Sequence, residues 1–441
     1  MNFFKQLNTN YFVTLLFLLL SSNANFLSSS EICWFLIMVL MAVIALRKNL
    51  IAPADYKYIG IFSLIYIVFV SLRDPLINNL ESTFLIGDIV FLFKYCYLSF
   101  LFCVILKEKA AAYLVRVIAH LTVVSFFFYA LQLMVPNLMY EAFRKLDLPN
   151  DNVLSNNLAG SYSNILLFTF TKDFHDYTNS GFVWEPGSFG CFLSLALMLH
   201  FFLNKFTFDK TAMILIIGNL TTFSTTAYTG LIVLLFLAYR YRVPKINLWA
   251  LIAIGVIALL VFTVPILGKK MVDMYNEDMA DLNHLKVLEH FYHHYRMQIP
   301  LNRFASMVYI YNVFGWMLIL GVSNKYSLIF YRKFNINVSN GIFDFLAKFG
   351  LVGLVYLFYR YIRFCKIYVV KPEYVVYCFV MLFLIGFGEP VMILPIILNF
   401  LFLSDEQTRI VQAVGGKRSR EQYKKYLQSV PAFPNERNRA I

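Results

Sequence analysis

The chain has 441 residues, of which 60% are hydrophobic and only 14% are charged. With a mean hydropathy of +0.65, this composition excludes an ordinary soluble domain and indicates an integral membrane protein that crosses the bilayer many times. The net charge of +13 does not indicate a nucleic-acid partner, and none is expected, because the Lys and Arg residues fall between apolar segments.

Apolar runs close to the ~20 residues that a helix needs to cross a bilayer predict an all-α, polytopic integral membrane protein with about 12 transmembrane helices. Two large loops separate three groups of these helices. The predicted parts are membrane helices 1–5 in residues 1–135, a first large loop at 136–185, membrane helices 6–9 at 186–267, a second large loop at 268–338, membrane helices 10–12 at 339–404, and a basic tail at 405–441.

Basic residues in the short connections predict the orientation of the chain. Every second connection carries Lys or Arg, which stay on the cytoplasmic side when a membrane protein is inserted. Both termini are therefore expected in the cytoplasm, and both large loops on the other side of the membrane. The basic residues of these connections include Arg47, Lys48, Lys107, Lys109, Lys205, Lys210, Arg240, Arg242, Arg363 and Lys366.

The stretch from Gly181 to Gly190 stands where the first large loop meets the sixth predicted span. Pro186 predicts a helix start, because proline is favoured in the first turn. Glu185 would then lie at or beside the N-cap, and the aromatic residues Phe182 and Trp184 suit a membrane–water interface. A functional carboxylate at a helix start is one interpretation, and a cap for its own helix is the other.

A run of hydroxyl residues between Thr221 and Gly230 predicts a break between two helices on the external side, level with Glu185. Glu389 and Pro390 form a similar external turn between the last two predicted spans. Within the early spans, Asp88 is expected to form a structural ion pair with Lys94 or Arg116, because charges in lipid are costly unless paired.

The large loops supply the other polar residues. The first loop contains Arg144 among many Asn and Asp residues, which suit turns and also sugar hydroxyls. The second loop is basic, and its Arg296 and Arg303 are seven residues apart, so that they could share a helix face and bind phosphate oxygens. Three acids in this loop are expected on a solvated helix face rather than in a cation site: Glu277, Asp278 and Asp281.

Three histidines of the second loop, His290, His293 and His294, share one face of a predicted helix. They could ligate a metal ion, but no carboxylate ligand pattern accompanies them, and a polar face with one or two functional residues is the preferred interpretation. The cysteines stand in apolar stretches without metal-ligand spacing. We therefore expect no metal site and no cofactor.

Three motifs occur in the order that a known family shows. The segment from Phe182 to Gly190 resembles the Glu-Pro-Gly segment of O-antigen and capsule polymerases of the Wzy type. The run from Leu220 to Gly230 looks like the Thr/Ser-rich helix break that follows in that family. Ser339-Asn340-Gly341, leading to Phe349-Gly350-Leu351-Val352-Gly353-Leu354, is similar to its late "N…GliGl" helix. The resemblance covers roughly residues 85–400.

The resemblance implies a glycosyltransferase of the bacterial inner membrane. Such a polymerase transfers a growing glycan from undecaprenyl pyrophosphate to the next lipid-linked repeat unit on the periplasmic face, in O-antigen, capsule or exopolysaccharide synthesis. Its partners would be undecaprenyl-pyrophosphate-linked oligosaccharides and membrane lipid, together with a chain-length regulator and a flippase.

Two alternatives stay open. The related O-antigen ligases carry His where this chain has Ser339, which favours a polymerase. A flippase or transporter of lipid-linked oligosaccharides would have short loops and two similar halves, whereas this chain has long loops and no internal repeat.

The expected roles follow from the reaction. The acceptor hydroxyl needs a general base, for which Glu185 is the first candidate and His290, His293 or His294 the next. The leaving pyrophosphate needs positive charge, for which Arg296, Arg303 and Arg144 are candidates. The remaining predicted substrate-binding residues are Trp184, Ser224, Thr225 and Asn340.

Overall fold

A computed structural model describes residues 9–78, 81–146, 162–171, 177–243, 270–291, 298–331, 335–369 and 371–403; for a few of them only the backbone is described. Regular structure in these ranges is helical apart from two small sheets, in agreement with the predicted all-α fold. The predicted span at 247–267 and the tail at 405–441 lie outside the described residues.

Among the described residues, seven α-helices precede the first large loop and an eighth lies within it; Pro53–Ile77 and Ala110–Met134 are the longest of them. A π-helical stretch, Leu92–Tyr97, joins α5 to α6, and a 3-10 turn, Lys107–Lys109, joins α6 to α7. The α-helices are α1 (Thr9–Ser21), α2 (Phe26–Ser29), α3 (Glu31–Arg47), α4 (Pro53–Ile77), α5 (Ser82–Phe91), α6 (Leu98–Leu106), α7 (Ala110–Met134) and α8 (Pro136–Leu146).

The second half alternates apolar helices with the elements of the second large loop. A 3-10 stretch, Gly315–Ile319, follows α13. The α-helices are α9 (Pro186–Leu203), α10 (Lys210–Thr221), α11 (Thr225–Arg242), α12 (Lys270–Phe291), α13 (Arg303–Phe314), α14 (Ser327–Tyr331), α15 (Gly341–Tyr368), α16 (Pro372–Gly388) and α17 (Pro395–Leu398).

Four helical stretches in the described residues are long and apolar enough to cross a membrane: Pro53–Ile77, Ser82–Met134, Pro186–Leu203 and Gly341–Tyr368. The second of them is interrupted at Lys107, where the backbone has a φ of 50°. Three shorter helices, α1, α10 and α16, are also apolar. These helices indicate a membrane protein, while the number of about 12 spans stays a prediction.

Local chemistry explains where the helices begin. Pro186 occupies the first position of α9, as predicted, and its missing N–H has no cost there. Side-chain oxygens of Ser224 and Asn340 accept from backbone N–H groups in the first turns of α11 and α15. The predicted hydroxyl-rich helix break is thus present, with Ser224 as its cap.

Helix α9 lies at the centre of the bundle, and every one of its residues is buried. A helix that is apolar on all sides needs neighbours all round, and α7, α10, α11 and α16 supply them. Gly190 allows close approach, because a methyl group there would overlap the side chain of Ala227 on α11. The start of α9 is therefore enclosed by protein.

A small parallel sheet positions the second large loop. Strand β3 (Gln298–Leu301) pairs in parallel with β4 (Asn335–Val338), and within three residues each strand leads into a helix, α13 or α15. The Ser339 hydroxyl donates to the carbonyl oxygen of Leu301 at 2.9 Å, which extends this pairing. The starts of α13 and α15 consequently lie side by side. The first loop has its own antiparallel pair, β1 (Tyr162–Asn164) with β2 (Thr169–Thr171).

The predicted pairing of Asp88 is wrong. Asp88 on α5 forms a buried ion pair with Arg73 on α4, and its second oxygen accepts from the N–H of Asn324 at 2.6 Å. Lys94 instead pairs with Glu31 at 2.8 Å. Lys94 lies six residues after Asp88, in the π-helical stretch Leu92–Tyr97, and the two side chains face different neighbours.

Candidate functional site

Glu185 is the N-cap residue of α9, with extended backbone angles (φ −151°, ψ 160°). Its side chain makes no capping bond to its own helix, so the alternative of a simple cap is wrong. The carboxylate oxygen Oε1 instead accepts from the indole N–H of Trp184 at 2.7 Å and from the Ser188 hydroxyl at 3.2 Å. Glu185 is half-buried, with its carboxylate held by two neutral donors.

Glu389 is the residue that the sequence interpretation missed as part of the site. It follows the last residue of α16, and its side chain is only 5% exposed. The Ser188 hydroxyl lies 3.4 Å from Glu389 Oε2, so that one hydroxyl reaches the carboxylates of both Glu185 and Glu389. The signal was present in the sequence: an acid directly at the end of an apolar helix, in a turn that was recognised as external.

Gly187 explains how Glu389 comes so near to α9. A Cβ atom at position 187 would overlap the Glu389 carboxylate, so that only glycine permits this approach. The carboxylate thereby lies against the first turn of α9, where backbone N–H groups produce a partial positive charge. The Glu-Pro-Gly segment therefore contributes one carboxylate, Glu185, and through Gly187 leaves room for a second, the distant Glu389.

Arg303 is the first residue of α13 and closes the cluster. Its Nε donates to the carbonyl oxygen of Gly388 at 2.6 Å, and its Nη2 donates to Glu389 Oε1 at 3.1 Å. Asn340, the N-cap of α15, donates from its side-chain amide to the carbonyl oxygen of Arg303 at 3.1 Å. Arg303 and Asn340, both predicted as substrate-binding residues, are thus brought together at Glu389, the carboxyl group that shares the Ser188 hydroxyl with Glu185.

Glu389 interacts with a second carboxyl group, Glu185, and with one guanidinium, Arg303, and this sets its protonation. Burial raises the pKa of Glu389 well above its ordinary value, the neighbouring Glu185 carboxylate raises it further, and Arg303 opposes both effects only in part. A close pair of carboxyl groups takes up its protons in coupled steps. The raised pKa keeps Glu389 protonated to a higher pH than an ordinary glutamic acid, beside a second carboxyl group, which suits acid–base chemistry.

The hydroxyl residues of α11 divide into two roles. The Ser224 hydroxyl is used as the cap of α11, and it accepts from the N–H of Ala227 at 3.5 Å. Thr225 is half-buried beside it. The neighbour that reaches the cluster is Thr226, because a Cβ atom on Gly388 would overlap the Thr226 hydroxyl. Thr226 was not among the predicted site residues.

The aromatic residues before α9 pack inside the protein, so the expectation that they face a membrane–water interface is wrong. Phe182 is fully buried, and Trp184 is buried as well. The Phe182 ring packs edge-on against Phe189 and Phe192, with centroids 5.9 and 5.5 Å apart. The cause is the turn at Gly181, whose φ of 54° folds the segment back onto the central helix.

Several predicted residues stay untested. Arg296, His293 and His294 lie outside the described residues. His290 and Arg144 lie in α12 and α8, for which the structure describes the backbone but not these two side chains. Their assignment as general base or phosphate ligand remains a prediction.

Comparison of the chain with models of known protein families, with curated proteins and with solved structures finds no match. The family resemblance therefore rests on the sequence motifs alone, and the chemistry of the site is argued from its own residues.

Proposed function

We propose that this protein is a polysaccharide polymerase that transfers a growing glycan from undecaprenyl pyrophosphate to the next lipid-linked repeat unit, on the periplasmic face of a bacterial inner membrane. The observation that carries the proposal is the cluster of Glu185, Glu389 and Arg303 at the start of the central helix. The order of the three motifs that resemble Wzy-type polymerases supports it from the sequence.

The reaction is a substitution at a sugar carbon. The oxygen of the acceptor hydroxyl forms a bond with the anomeric carbon of the donor glycan, and the bond from that carbon to the pyrophosphate oxygen breaks. The electron pair leaves with the lipid pyrophosphate. The acceptor proton passes to a carboxylate of the enzyme, so that a positioned base and a positive charge near the leaving group are the two requirements.

Glu185 is the better base of the two carboxylates. It is half-buried, whereas Glu389 is almost fully enclosed and is paired with Arg303. The indole of Trp184 and the hydroxyl of Ser188 hold the Glu185 carboxylate in one orientation, which reduces the entropy lost when an acceptor binds. Trp184 and Ser188 are positioning residues in this proposal.

Arg303 supplies the positive charge, and Glu389 controls it. Protonation of Glu389 weakens its ion pair with Arg303, so that this carboxyl offsets less of the guanidinium charge and the attraction for the leaving pyrophosphate increases. The raised pKa of Glu389 favours the protonated state. With Glu389 protonated, one carboxylate rather than two lies near the anionic pyrophosphate, which lowers the repulsion.

The experiment is deletion of the gene in its host, followed by complementation and a gel of surface glycans. A polymerase predicts loss of the ladder with a single repeat unit retained on the surface. If the deleted gene encodes a ligase, polymer remains on the lipid carrier and none is attached to lipid A. If it encodes a flippase, single repeat units remain on the cytoplasmic side.

Complementation with Glu185→Gln tests the site itself. We expect no ladder from this variant at wild-type abundance in the membrane, and full-length chains from it would remove Glu185 from the chemistry. The matched control is Glu81→Gln, an acid at the start of α5 that is not part of the cluster and is expected to restore the ladder.

A further inference from the structure

We propose that Asp278, on helix α12 of the second large loop, is a positioning residue that holds Arg303 in the cluster. The consequence for activity rests on the proposed function, whereas the structural effect does not. Asp278 was predicted on a solvated helix face, and this is wrong: its side chain is fully buried, while its neighbour Glu277 is exposed.

Asp278 caps a helix to which it does not belong. Its Oδ2 accepts from the backbone N–H of Phe304 at 2.8 Å and from that of Ala305 at 3.4 Å. These are N–H groups of the first turn of α13, which have no partner within their own helix. Asn302, the N-cap residue of α13, makes no side-chain capping bond. The cap is therefore supplied by a residue 26 positions earlier.

The bond to Phe304 fixes the residue that precedes it. Both bonds of Arg303, to Gly388 and to Glu389, run from one planar guanidinium. A shift of the first turn of α13 would therefore disturb both bonds at once. The amide of Asn340 holds the carbonyl side of Arg303, and Asp278 holds the N–H of the next residue. A negative charge at this helix start is favourable in addition.

Packing carries α12 to this position. Leu282 and Leu285 of α12 are buried in one apolar cluster with Leu301 and Ala305, which flank Arg303 in sequence. The Tyr275 ring packs edge-on against Phe304, with centroids 5.6 Å apart. The face of α12 that carries Tyr275, Leu282 and Leu285 is therefore docked on the start of α13, and Asp278 is a polar contact of that face.

The second oxygen of Asp278 predicts which substitution is tolerated. Oδ1 is buried and has no hydrogen-bond partner in the described part of the chain. An asparagine keeps an accepting oxygen for Phe304, but it loses the negative charge and buries an NH2 group at the Oδ1 position. Asp278→Asn should thus preserve the position of Arg303 only in part, and Asp278→Ala should lose it.

The first test is hydrogen–deuterium exchange of the full-length protein in lipid nanodiscs, read on the peptide that covers residues 303–306. Asp278→Ala is expected to exchange about fivefold faster there, the scale of a lost helix cap. Asp278→Asn is expected to lie between the wild type and Asp278→Ala, and the adjacent control Glu277→Gln is expected to match the wild type. If Asp278→Ala does not fold, Asp278→Val, which also lacks an acceptor, replaces it. Unchanged exchange in the folded Ala or Val variant overturns the inference, whatever the glycans show.

The second test asks whether Asp278 acts through Arg303. In the complementation assay, Arg303→Lys keeps the charge but loses the planar fork, and it should shorten the ladder. Adding Asp278→Ala to Arg303→Lys should shorten it no further, and an additive loss would overturn the positioning role. An intact ladder in Arg303→Lys would count against the proposed function, and the exchange measurement then decides the role of Asp278 by itself.

Discussion

Arg303 is tied to Glu389 across 86 residues of sequence, through a 3.1 Å bond from Nη2 to the carboxylate. A second bond from Nε to the Gly388 carbonyl oxygen fixes the plane of the guanidinium. The contact joins the start of α13, in the second large loop, to the end of α16, in the membrane bundle. The parallel pairing of β3 with β4 makes it possible, because it sets α13 beside α15 and hence beside α16.

Because Gly187 lies directly against Glu389, adding one methyl group at position 187 is expected to lower activity and stability strongly. Gly187→Ala forces the Glu389 carboxylate away from its place, because the new Cβ overlaps it. We expect at least a tenfold loss of polymer on a gel and a loss of stability of about 1–3 kcal/mol. The control is Gly60→Ala on α4, where nothing lies within 4 Å, and it should be neutral or slightly stabilising. A wild-type ladder from Gly187→Ala would contradict the role of the Glu389 position.

The raised pKa of Glu389 predicts a pH dependence of stability. In the unfolded chain this carboxyl ionises near its ordinary pKa of 4.5, whereas in the folded protein burial and the Glu185 carboxylate keep it protonated to higher pH. The folded state is therefore favoured by this group below about pH 4.5, and the contribution is lost as the pH rises through the raised pKa.

Glu389→Gln cannot titrate and should flatten this dependence, while its side-chain oxygen still accepts from Arg303. The measurement is the unfolding temperature between pH 5 and 9 in nanodiscs, compared with the wild type. Equal slopes for the two proteins would show that Glu389 has an ordinary pKa.

Removal of the indole N–H of Trp184 is expected to lower activity although an aromatic ring is kept at this position. Trp184→Phe keeps an aromatic ring and removes the donor to Glu185 Oε1. A hydrogen bond to a charged group contributes about 1.5–3 kcal/mol, so that activity should fall roughly tenfold or more. Trp34→Phe is the matched control, because it removes a buried indole bond to the Ser28 carbonyl oxygen, away from the cluster. Equal activity of the two variants would contradict the positioning role of Trp184.

The buried pair of Arg73 and Asp88 predicts a stability effect. Asp88→Leu leaves a guanidinium that is 2% exposed without its counter-ion, which should cost about 3–5 kcal/mol. Replacing both residues, as Arg73→Met with Asp88→Leu, should restore much of that loss. The control is Glu31→Gln, whose side chain is 71% exposed and whose pair with Lys94 is worth less than about 1 kcal/mol. The amount of folded protein and its unfolding temperature are measured for the single variant, the double variant and the control.

The local features of this protein could be predicted from its sequence. Apolar runs predicted the membrane helices because their length and composition suit the bilayer core, and Pro186 predicted the start of α9. Ser224 and Asn340 occupy helix starts because a short polar side chain can accept from the first-turn N–H groups. Each of these predictions concerns groups within a few residues of one another.

The partners of the charged residues were decided by tertiary structure. Asp88 binds Arg73 rather than Lys94, Asp278 is buried under α13 rather than solvated, and Glu389 lies against Gly187 although 202 positions separate them (389 minus 187). Helix periodicity gives the face on which a side chain lies, but the neighbour it meets there depends on how distant helices pack. In a bundle with a fully buried central helix, the packing of distant helices decides which acidic and which basic side chains lie together in the site.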